Sequence, residues 1–173
     1  MIKRGEIIGI GGISRSGKTF LANGLAAKLV ASGRKVMVFD QDNFVFPVDQ
    51  IPLYQGHTDW EIPESIDFDK FRMAVVKASE EYEYVIAEGL MVFYDPVIYK
   101  LFDKSIFIKI SKEEFLNRKK YDQRWGKEPD WYIDHIWEGY LKYGQFPAGQ
   151  YPDLLLDGNQ LFDIEQIHQQ VII

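Results

Sequence analysis

One stretch decides the fold of this chain: Gly12-Ile13-Ser14-Arg15-Ser16-Gly17-Lys18-Thr19. It matches the pattern G-x-x-x-x-G-K-[ST] in full, and it lies between a short apolar run and a segment with helical spacing. Glycines let backbone N–H groups curl around phosphate oxygens, and the N-terminus of the following helix adds partial positive charge. The stretch therefore predicts a strand, a phosphate-binding loop and a helix, in that order.

The residue types in this loop predict binding of a nucleoside triphosphate, with ATP as the expected nucleotide and Mg²⁺ as the expected metal ion. Lys18 is expected to hold the β- and γ-phosphates, and the Thr19 hydroxyl is expected to ligate the metal. Average residue frequencies produce the pattern by accident in about one chain of this length in two hundred. The expected nucleotide contacts are Gly12, Ser14, Arg15, Ser16, Gly17, Lys18 and Thr19.

The rest of the chain alternates short apolar runs, typical of buried strands, with segments whose apolar residues recur at helical spacing. This alternation predicts an α/β fold with a parallel sheet of about five strands and helices on both faces. Ligands of such sheets bind beyond the carboxyl ends of the strands. The expected strands are 6–11, 35–40, 84–87, 105–110 and 154–156, and the expected helices are 20–31, 67–82, 113–121, 131–143 and 164–171.

Length and composition exclude several classes of protein. A chain of 173 residues fits one domain, which we expect to span 1–173. The absence of cysteine excludes disulfides and cysteine-ligated metals, and no apolar run is long enough to span a membrane. A formal net charge of −6 disfavours binding to nucleic acid or to anionic membranes. We therefore expect a cytoplasmic protein without nucleic-acid or membrane partners; the oligomeric state does not follow from the sequence.

Three carboxylates follow the expected strands. Asp40 and Asp42 close the second strand, and Glu88 closes the third. Beside a Mg²⁺–triphosphate site, such acids can hold water molecules of the metal or take a proton from an attacking hydroxyl. Each acid alone is equally explained as a solvated strand end. Spacing does not say which acid is the base and which is the metal partner.

The segment between Lys35 and Lys70 contains eight acidic residues and neither lysine nor arginine. Enzymes that phosphorylate a nucleotide normally hold the phosphate of the acceptor with arginines, and this segment offers none. It offers aromatic rings that can stack on a base and carboxylates that can accept hydrogen bonds from sugar hydroxyls. The segment therefore favours a small neutral or cationic nucleoside as acceptor. The alternative is an acidic, solvated loop whose aromatic residues pack into the core.

A basic cluster lies after the fourth expected strand. We predict a short lid there, at approximately 118–130, whose arginines cover the transferring phosphoryl group and stabilise its charge. A solvated helix face is the alternative explanation of the same charges. The members of the cluster are Arg118, Lys119, Lys120, Arg124 and Lys127.

Together these residues resemble the uridine kinase superfamily, and within it most closely the nicotinamide riboside kinases. Asp40-Gln41-Asp42-Asn43-Phe44 looks like the family's Q-D-[DS]-F segment. The stretch 59–67 is similar to its aromatic–acid stretch, and 86–89 parallels its I-x-E-G. Assignment to the branch rests on 135–143, where His-Ile-Trp and Tyr-Leu-Lys-Tyr resemble the H-V-W and Y-L-K-Y of nicotinamide riboside kinases.

The resemblance implies a P-loop kinase fold and transfer of the ATP γ-phosphoryl group to the 5′-hydroxyl of a ribonucleoside. Nicotinamide riboside is the first expected acceptor, and uridine or cytidine is the alternative. A nucleotide-dependent switch without catalysis is a more distant alternative, disfavoured because the chain lacks an N-K-x-D guanine motif. The implied roles are catalysis by Asp42, Lys18, Arg118 and Arg124, nucleoside binding by Asp42, Phe44, Trp60 and Glu61, and metal binding by Thr19 and Glu88.

The chain departs from the nicotinamide riboside kinase pattern at two positions. Those kinases tend to carry Q-D-D-F-F, whereas this chain has Val45 after Phe44, so one aromatic platform is missing unless Phe46 replaces it. Glu61 is one methylene longer than the family's usual Asp, which moves the expected ribose contact. The choice between nicotinamide and a pyrimidine base therefore stays open at this point.

Overall fold

The computed structural model describes residues 4–124 and 126–172. The ends of the expected domain (1–3 and 173) and position 125 of the expected lid lie outside the described residues. The strands are β1 (Glu6–Gly12), β2 (Val36–Asp40), β3 (Leu53–Tyr54), β4 (His57–Thr58), β5 (Tyr84–Gly89), β6 (Lys104–Lys109) and β7 (Leu154–Asp157). The helices are α1 (Lys18–Ala31), α2 (Phe68–Glu81), α3 (Pro96–Tyr99), α4 (Lys112–Lys120), α5 (Asp130–Tyr143) and α6 (Ile164–Val171).

Five strands form one parallel sheet in the order β2-β5-β1-β6-β7, which confirms the predicted α/β fold. Strands β3 and β4 form a separate antiparallel hairpin. The hairpin and α3 were not predicted, because strands of two residues and a helix of four are too short to show a periodic pattern. None of the described helices is both long enough and apolar enough to span a bilayer.

Two apolar clusters fill the space between the sheet and its helices. Ile7 and Ile8, neighbours in β1, belong to different clusters because successive side chains of a strand point to opposite faces. One cluster includes Phe71 of α2 and Phe115 of α4, and the other includes Leu25 of α1. The apolar faces of the helices are thereby buried on both sides of the sheet.

The strand register brings the carboxyl ends of three strands to one edge of the sheet. Asp40 at the end of β2 pairs with Glu88 of β5, and Gly11 of β1 pairs with Gly89 of β5. The phosphate loop follows β1 directly, so it begins at the same edge. The fold therefore places the two carboxylates beside the loop.

The connection between α4 and α5 is shorter than the expected lid. Helix α4 extends to Lys120, so Arg118 belongs to a helix and not to the connection that follows it. Helix α5 begins at Asp130. The expected lid of about 118–130 therefore spans the last turn of α4, this connection and the start of α5, and it stays a prediction; 121–124 and 126–129 of the connection are described.

Phe44 lies against the core. Its ring centroid is 5.1 Å from that of Phe71 and 5.8 Å from that of Phe39, and both pairs meet edge-on. The side chain is half-buried and packs against the cluster that contains Phe71. Phe44 is not among the residues that line the cleft, and its expected contact with a nucleoside stays a prediction.

Replacement of Phe44 tests this core position. We expect Phe44→Ala to lower the free energy of unfolding by about 2–3 kcal/mol, less than a fully buried Phe→Ala change because the ring is only half-buried. Urea denaturation measures the loss. The matched control is Met73→Ala on α2, where the side chain is 68% exposed and a change below about 0.5 kcal/mol is expected. Equal effects of the two substitutions would contradict the core assignment.

Candidate functional site

A cleft of about 1350 Å³ lies at the carboxyl edge of the sheet. Its walls come from the phosphate loop and the start of α1, the ends of β2 and β5, the residues around β4, and the segment from α4 to α5. Side chains far apart in sequence therefore face one space. The predicted site residues that line it are Ser14, Arg15, Gly17, Lys18, Thr19, Asp42, Trp60, Glu61, Glu88, Arg118 and Arg124.

The phosphate loop has the backbone that its glycines predict. Gly17, directly before α1, has a φ of 103°, and Gly12 is packed so closely that a Cβ would lie 2.6 Å from the Ile108 carbonyl oxygen. The Ser16 hydroxyl is buried and has no hydrogen-bond partner among the described residues. An unpaired buried polar atom beside the amides of a helix N-terminus fits an anion with several oxygens. The loop is thus suited to phosphate groups.

Lys18, Thr19 and Glu88 meet beneath this loop. The Lys18 ammonium donates to the Ile13 carbonyl at 3.0 Å, and Thr19 Oγ1 donates to Glu88 Oε1 at 2.5 Å. Burial raises the pKa of Glu88, while the charge of Lys18 and the Thr19 hydrogen bond oppose that rise. A hydroxyl and a carboxylate in contact are oxygen ligands of the kind that Mg²⁺ takes in phosphate sites. Within the described ranges, no group of three or more His, Cys, Asp or Glu side chains is placed to hold a metal ion.

Asp40 and Asp42 have different surroundings. The Asp40 carboxylate accepts a hydrogen bond from the Asp42 backbone N–H at 2.9 Å and begins the turn that follows β2. The side chain of Gln41 is buried and accepts from the Met91 N–H at 3.0 Å, which fixes the turn to the end of β5. The Asp42 side chain is thereby directed to the cleft. Asp40 and Asp42 both line the cleft, and Asp40 also caps the turn.

The cleft raises the pKa of Asp42. Loss of surrounding water is the main cause, and the charge of Asp40 adds to it. The charges of Lys18 and Arg124 lower the same pKa. A carboxylate with a raised pKa accepts a proton more readily, so Asp42 is suited to act as a base.

Trp60 and Glu61 form the wall after β4. The Trp60 side chain is 39% exposed and lines the cleft, together with Val45 at the position after Phe44. Loss of water around Glu61 raises the pKa of its carboxyl to about 8, and the charge of Asp42 contributes to the rise. The wall therefore carries one aromatic ring and a carboxyl that is largely protonated at neutral pH.

Lys119, which is far from Glu61 in the sequence, brings a positive charge close to this wall. The Lys119 side chain is 2% exposed, and its Nζ lies 2.5 Å from Glu128 Oε2 and 3.7 Å from Asp122 Oδ2. Its charge lowers the pKa of Glu61, so it lies close to the expected acceptor. The absence of lysine and arginine between Lys35 and Lys70 therefore does not make the cleft free of cations. The sequence argument for a neutral or cationic acceptor stays a prediction, and it did not take the charge of Lys119 into account.

The two arginines of the basic cluster differ in role. Arg118 donates to Glu114 Oε1 at 2.6 Å, to the Arg15 carbonyl at 2.9 Å and to the Gly158 carbonyl at 2.6 Å. These bonds fasten α4 to the phosphate loop, and a guanidinium with three partners is held in place. Arg118 thus braces the loop from a helix, whereas a mobile lid residue was expected.

Arg124 pairs with Asp122 in the connection between α4 and α5. Its Nε and a terminal nitrogen lie 2.9 Å and 2.8 Å from the two carboxylate oxygens. The Asp122 side chain is 3% exposed, and Arg15 of the phosphate loop lies 3.8 Å from it. The hydrogen bond from Arg124 holds the pKa of Asp122 well below its usual range. Asp122 therefore lies close to both Arg15 and Arg124 at the edge of the phosphate loop.

Several lining residues were missed from the sequence. No local motif marks them, and each reaches the cleft only through folding. The alternation of acidic and basic residues at 118–128 was the one signal available for some of them. Among the missed residues are His57, Glu128, Trp131 and Tyr132 at the cleft, and Asp122 beside it.

Three relatives indicate the family. Nicotinamide riboside kinase 1 of Rattus norvegicus is 26% identical over 156 residues, covering 80% of this chain and 78% of that protein. Nicotinamide riboside kinase 1 of Homo sapiens is 28% identical over 156 residues, covering 80% and 76%. A uridine kinase of Mycoplasma pneumoniae is 30% identical over 142 residues, covering 68% and 66%. No family model matches the chain.

Solved structures share the fold. A possible uridine kinase from Bacillus stearothermophilus superposes with a TM-score of 0.59 at 19% identity, covering 89% of both chains. The APS kinase CysC of Mycobacterium tuberculosis, solved in complex with AMPPNP and APS, superposes with a TM-score of 0.64 at 17% identity and covers 96% of this chain and 95% of that one. Both similarities extend over most of this chain.

The complete phosphate loop, the parallel sheet and the sequence matches therefore lead to one assignment. The chain belongs to the superfamily of P-loop kinases that contains the uridine kinases and the nicotinamide riboside kinases.

Proposed function

We propose that this protein transfers the γ-phosphoryl group of ATP to the 5′-hydroxyl of a ribonucleoside. The observation that carries the proposal is the position of Asp42, whose carboxylate faces the same cleft as Lys18 and Thr19 of the phosphate loop. A base and a triphosphate site that line one cleft are what direct phosphoryl transfer to a hydroxyl needs. The similar proteins named nicotinamide riboside kinase and uridine kinase support the same reaction.

The donor side is assigned to the phosphate loop. The amides from Gly12 to Thr19, the Ser16 hydroxyl and the Lys18 ammonium would hold the triphosphate, and Thr19 and Glu88 would hold Mg²⁺. Bound Mg²⁺ neutralises phosphate charge and orients the terminal phosphoryl group. Arg124 is placed to add positive charge at the edge of the same loop, because Asp122 holds it beside Arg15.

The acceptor side is assigned to the wall around Asp42. This carboxylate orients the 5′-hydroxyl and takes its proton as the O–P bond forms and the bond to ADP breaks. Glu61 would bind the ribose hydroxyls and Trp60 would stack on the base, since both side chains line the cleft. Val45, which lines the cleft at the position of the second Phe of the nicotinamide riboside kinase pattern, would offer the base an aliphatic surface.

Nicotinamide riboside is our first proposed acceptor, and a pyrimidine nucleoside is the second. The matches to nicotinamide riboside kinases from several species favour the first. The 30% identity to a uridine kinase favours the second, as does Lys119, whose positive charge near Glu61 opposes a cationic ring. The two proposals differ only in the base and share every other part of the site.

Release of ADP with Mg²⁺–ATP, measured with each nucleoside at equal concentration, tests the function. We expect turnover that depends on the nucleoside, with nicotinamide riboside ahead of uridine and cytidine by about tenfold or more in kcat/KM, since one well-matched contact is worth that factor. The reverse order would assign the protein to pyrimidine nucleosides. ADP release that none of the three accelerates would contradict the proposed acceptor class.

Substitution of Asp42 tests the role of the base. We expect Asp42→Asn to lower kcat by about 10²–10⁴-fold, because the amide cannot take the proton, while the Kd for a non-hydrolysable ATP analogue changes by less than about threefold. The matched control is Asp49→Asn, an exposed acid of the same segment that does not line the cleft, for which normal kcat is expected. Near-normal kcat in Asp42→Asn would move the base to another residue.

The pKa of Glu61 predicts a pH dependence of stability. Its folded value of about 8 lies above the usual 4.5, so the folded protein binds more protons than the unfolded chain between these values. Stability from the protonated carboxyl is therefore complete below about pH 4.5 and is lost as the pH rises through 8. As the pH rises from 5 to 8.5, we expect the free energy of unfolding of Glu61→Gln to increase by about 2–4 kcal/mol relative to that of the wild-type protein. This range allows for partial solvation of the carboxyl group.

Urea unfolding at a series of pH values measures this difference. Glu64→Gln, an exposed glutamate three residues along, is the matched control and should run parallel to the wild-type curve. A constant difference between Glu61→Gln and wild type across the range would show that Glu61 ionises normally.

A further inference from the structure

Asp59 connects three segments that surround the acceptor side of the cleft. Its side chain is almost completely buried, and its Oδ1 lies 2.8 Å from His135 Nε2 of α5 and 3.1 Å from the backbone nitrogen of Glu61. The imidazole and the carboxyl group therefore share one hydrogen bond. The Asp59 N–H also donates to the Pro52 carbonyl at 2.9 Å.

His135 is held from a second side by a ring of the β3–β4 hairpin. The Tyr54 ring stacks on the imidazole with a centroid distance of 3.9 Å and an angle of 4° between the planes. This stacking fixes the plane of the imidazole, so Nε2 stays directed at Asp59. Helix α5, the hairpin and the segment of Trp60 and Glu61 therefore meet at one side chain.

The segment of Trp60 and Glu61 contacts α5 a second time at Gly139, one helical turn after His135. A Cβ at Gly139 would lie 2.9 Å from the Glu61 carbonyl oxygen and 3.0 Å from its Cβ, so only a glycine permits this approach. The Ser65 hydroxyl donates to the Trp60 carbonyl at 3.1 Å on the other side. The backbone of the wall is thus fastened, while the side chains of Trp60 and Glu61 remain directed to the cleft.

We propose that His135 is a positioning residue for the acceptor: through Asp59 it fixes the segment that presents Trp60 and Glu61 to the nucleoside. The inference rests on the proposed function, because it assigns these two side chains to nucleoside binding. His135 lies in α5 and stacks on the β3–β4 hairpin, and neither element is assigned to triphosphate binding. Its loss therefore weakens nucleoside binding selectively.

Kinetics with two substitutions separate positioning from general support. We expect His135→Leu to raise KM for the nucleoside by about tenfold or more, the factor typical for loss of a hydrogen bond to a charged group. It should leave KM for ATP unchanged and kcat within about threefold. His135→Gln retains a donor that can reach Asp59, so it should recover most of the nucleoside affinity. The matched control is His168→Leu on α6, whose Nε2 has no hydrogen-bond partner among the described residues and which should match the wild type.

Three results would overturn the inference. The first is an unchanged KM for the nucleoside in His135→Leu, and the second is an equal rise in KM for ATP and for the nucleoside in that variant. The third is a nucleoside KM in His135→Gln that is as high as in His135→Leu. Thermal unfolding of each variant shows whether it is folded at the assay temperature. Wild-type protein that turns over no nucleoside would instead contradict the proposed function itself.

Hydrogen exchange tests the positioning without turnover. The Glu61 N–H is bonded to Asp59, so its exchange should accelerate by about tenfold or more in His135→Leu, while amides of α1 keep wild-type rates. Unchanged exchange at Glu61 would overturn the inference even if no acceptor had been found. The two measurements thus distinguish failure of the positioning residue from failure of the acceptor assignment.

Discussion

The parallel pairing of β2, β5 and β1 in one register is the constraint on which the whole site depends. It sets Asp40 opposite Glu88 and leaves the phosphate loop at the same edge. A slip by one residue would turn every side chain of a strand to the other face and remove both carboxylates from the loop. The hydrogen bond from Thr19 to Glu88 then joins the first turn of α1 to the sheet. The pairing of the strands therefore brings the phosphate loop close to Asp40 and Glu88.

Charge in the cleft is balanced by residues from separate segments. Lys119 lies between Glu128 and Asp122 with almost no exposure, an arrangement that costs desolvation and is sustained only because both partners are in place. Asp122 also neutralises Arg124 beside the phosphate loop. This ion pair holds the Arg124 guanidinium group close to Arg15 of the phosphate loop.

Aromatic residues of one acidic segment serve three different purposes. Phe44 packs into the core, Trp60 faces the cleft, and Tyr54 stacks on His135. All three follow β2 within a short stretch, and their side chains differ little in chemistry. Their roles are set by what lies opposite each ring: other aromatic side chains for Phe44, open cleft for Trp60 and an imidazole for Tyr54. This division explains how a segment rich in carboxylates can still be firmly packed.

The sequence by itself determined the phosphate loop, the five parallel strands and the position of Asp42 and Glu88 at strand ends. These follow from local patterns, since glycine spacing, apolar periodicity and strand polarity act over a few neighbouring residues. Only the tertiary structure decided that Phe44 belongs to the core, that Arg118 braces the loop, that Lys119 enters an acidic cleft and that His135 holds Asp59. Each of these depends on a distance between segments far apart in the chain, which side-chain packing sets and no local pattern records.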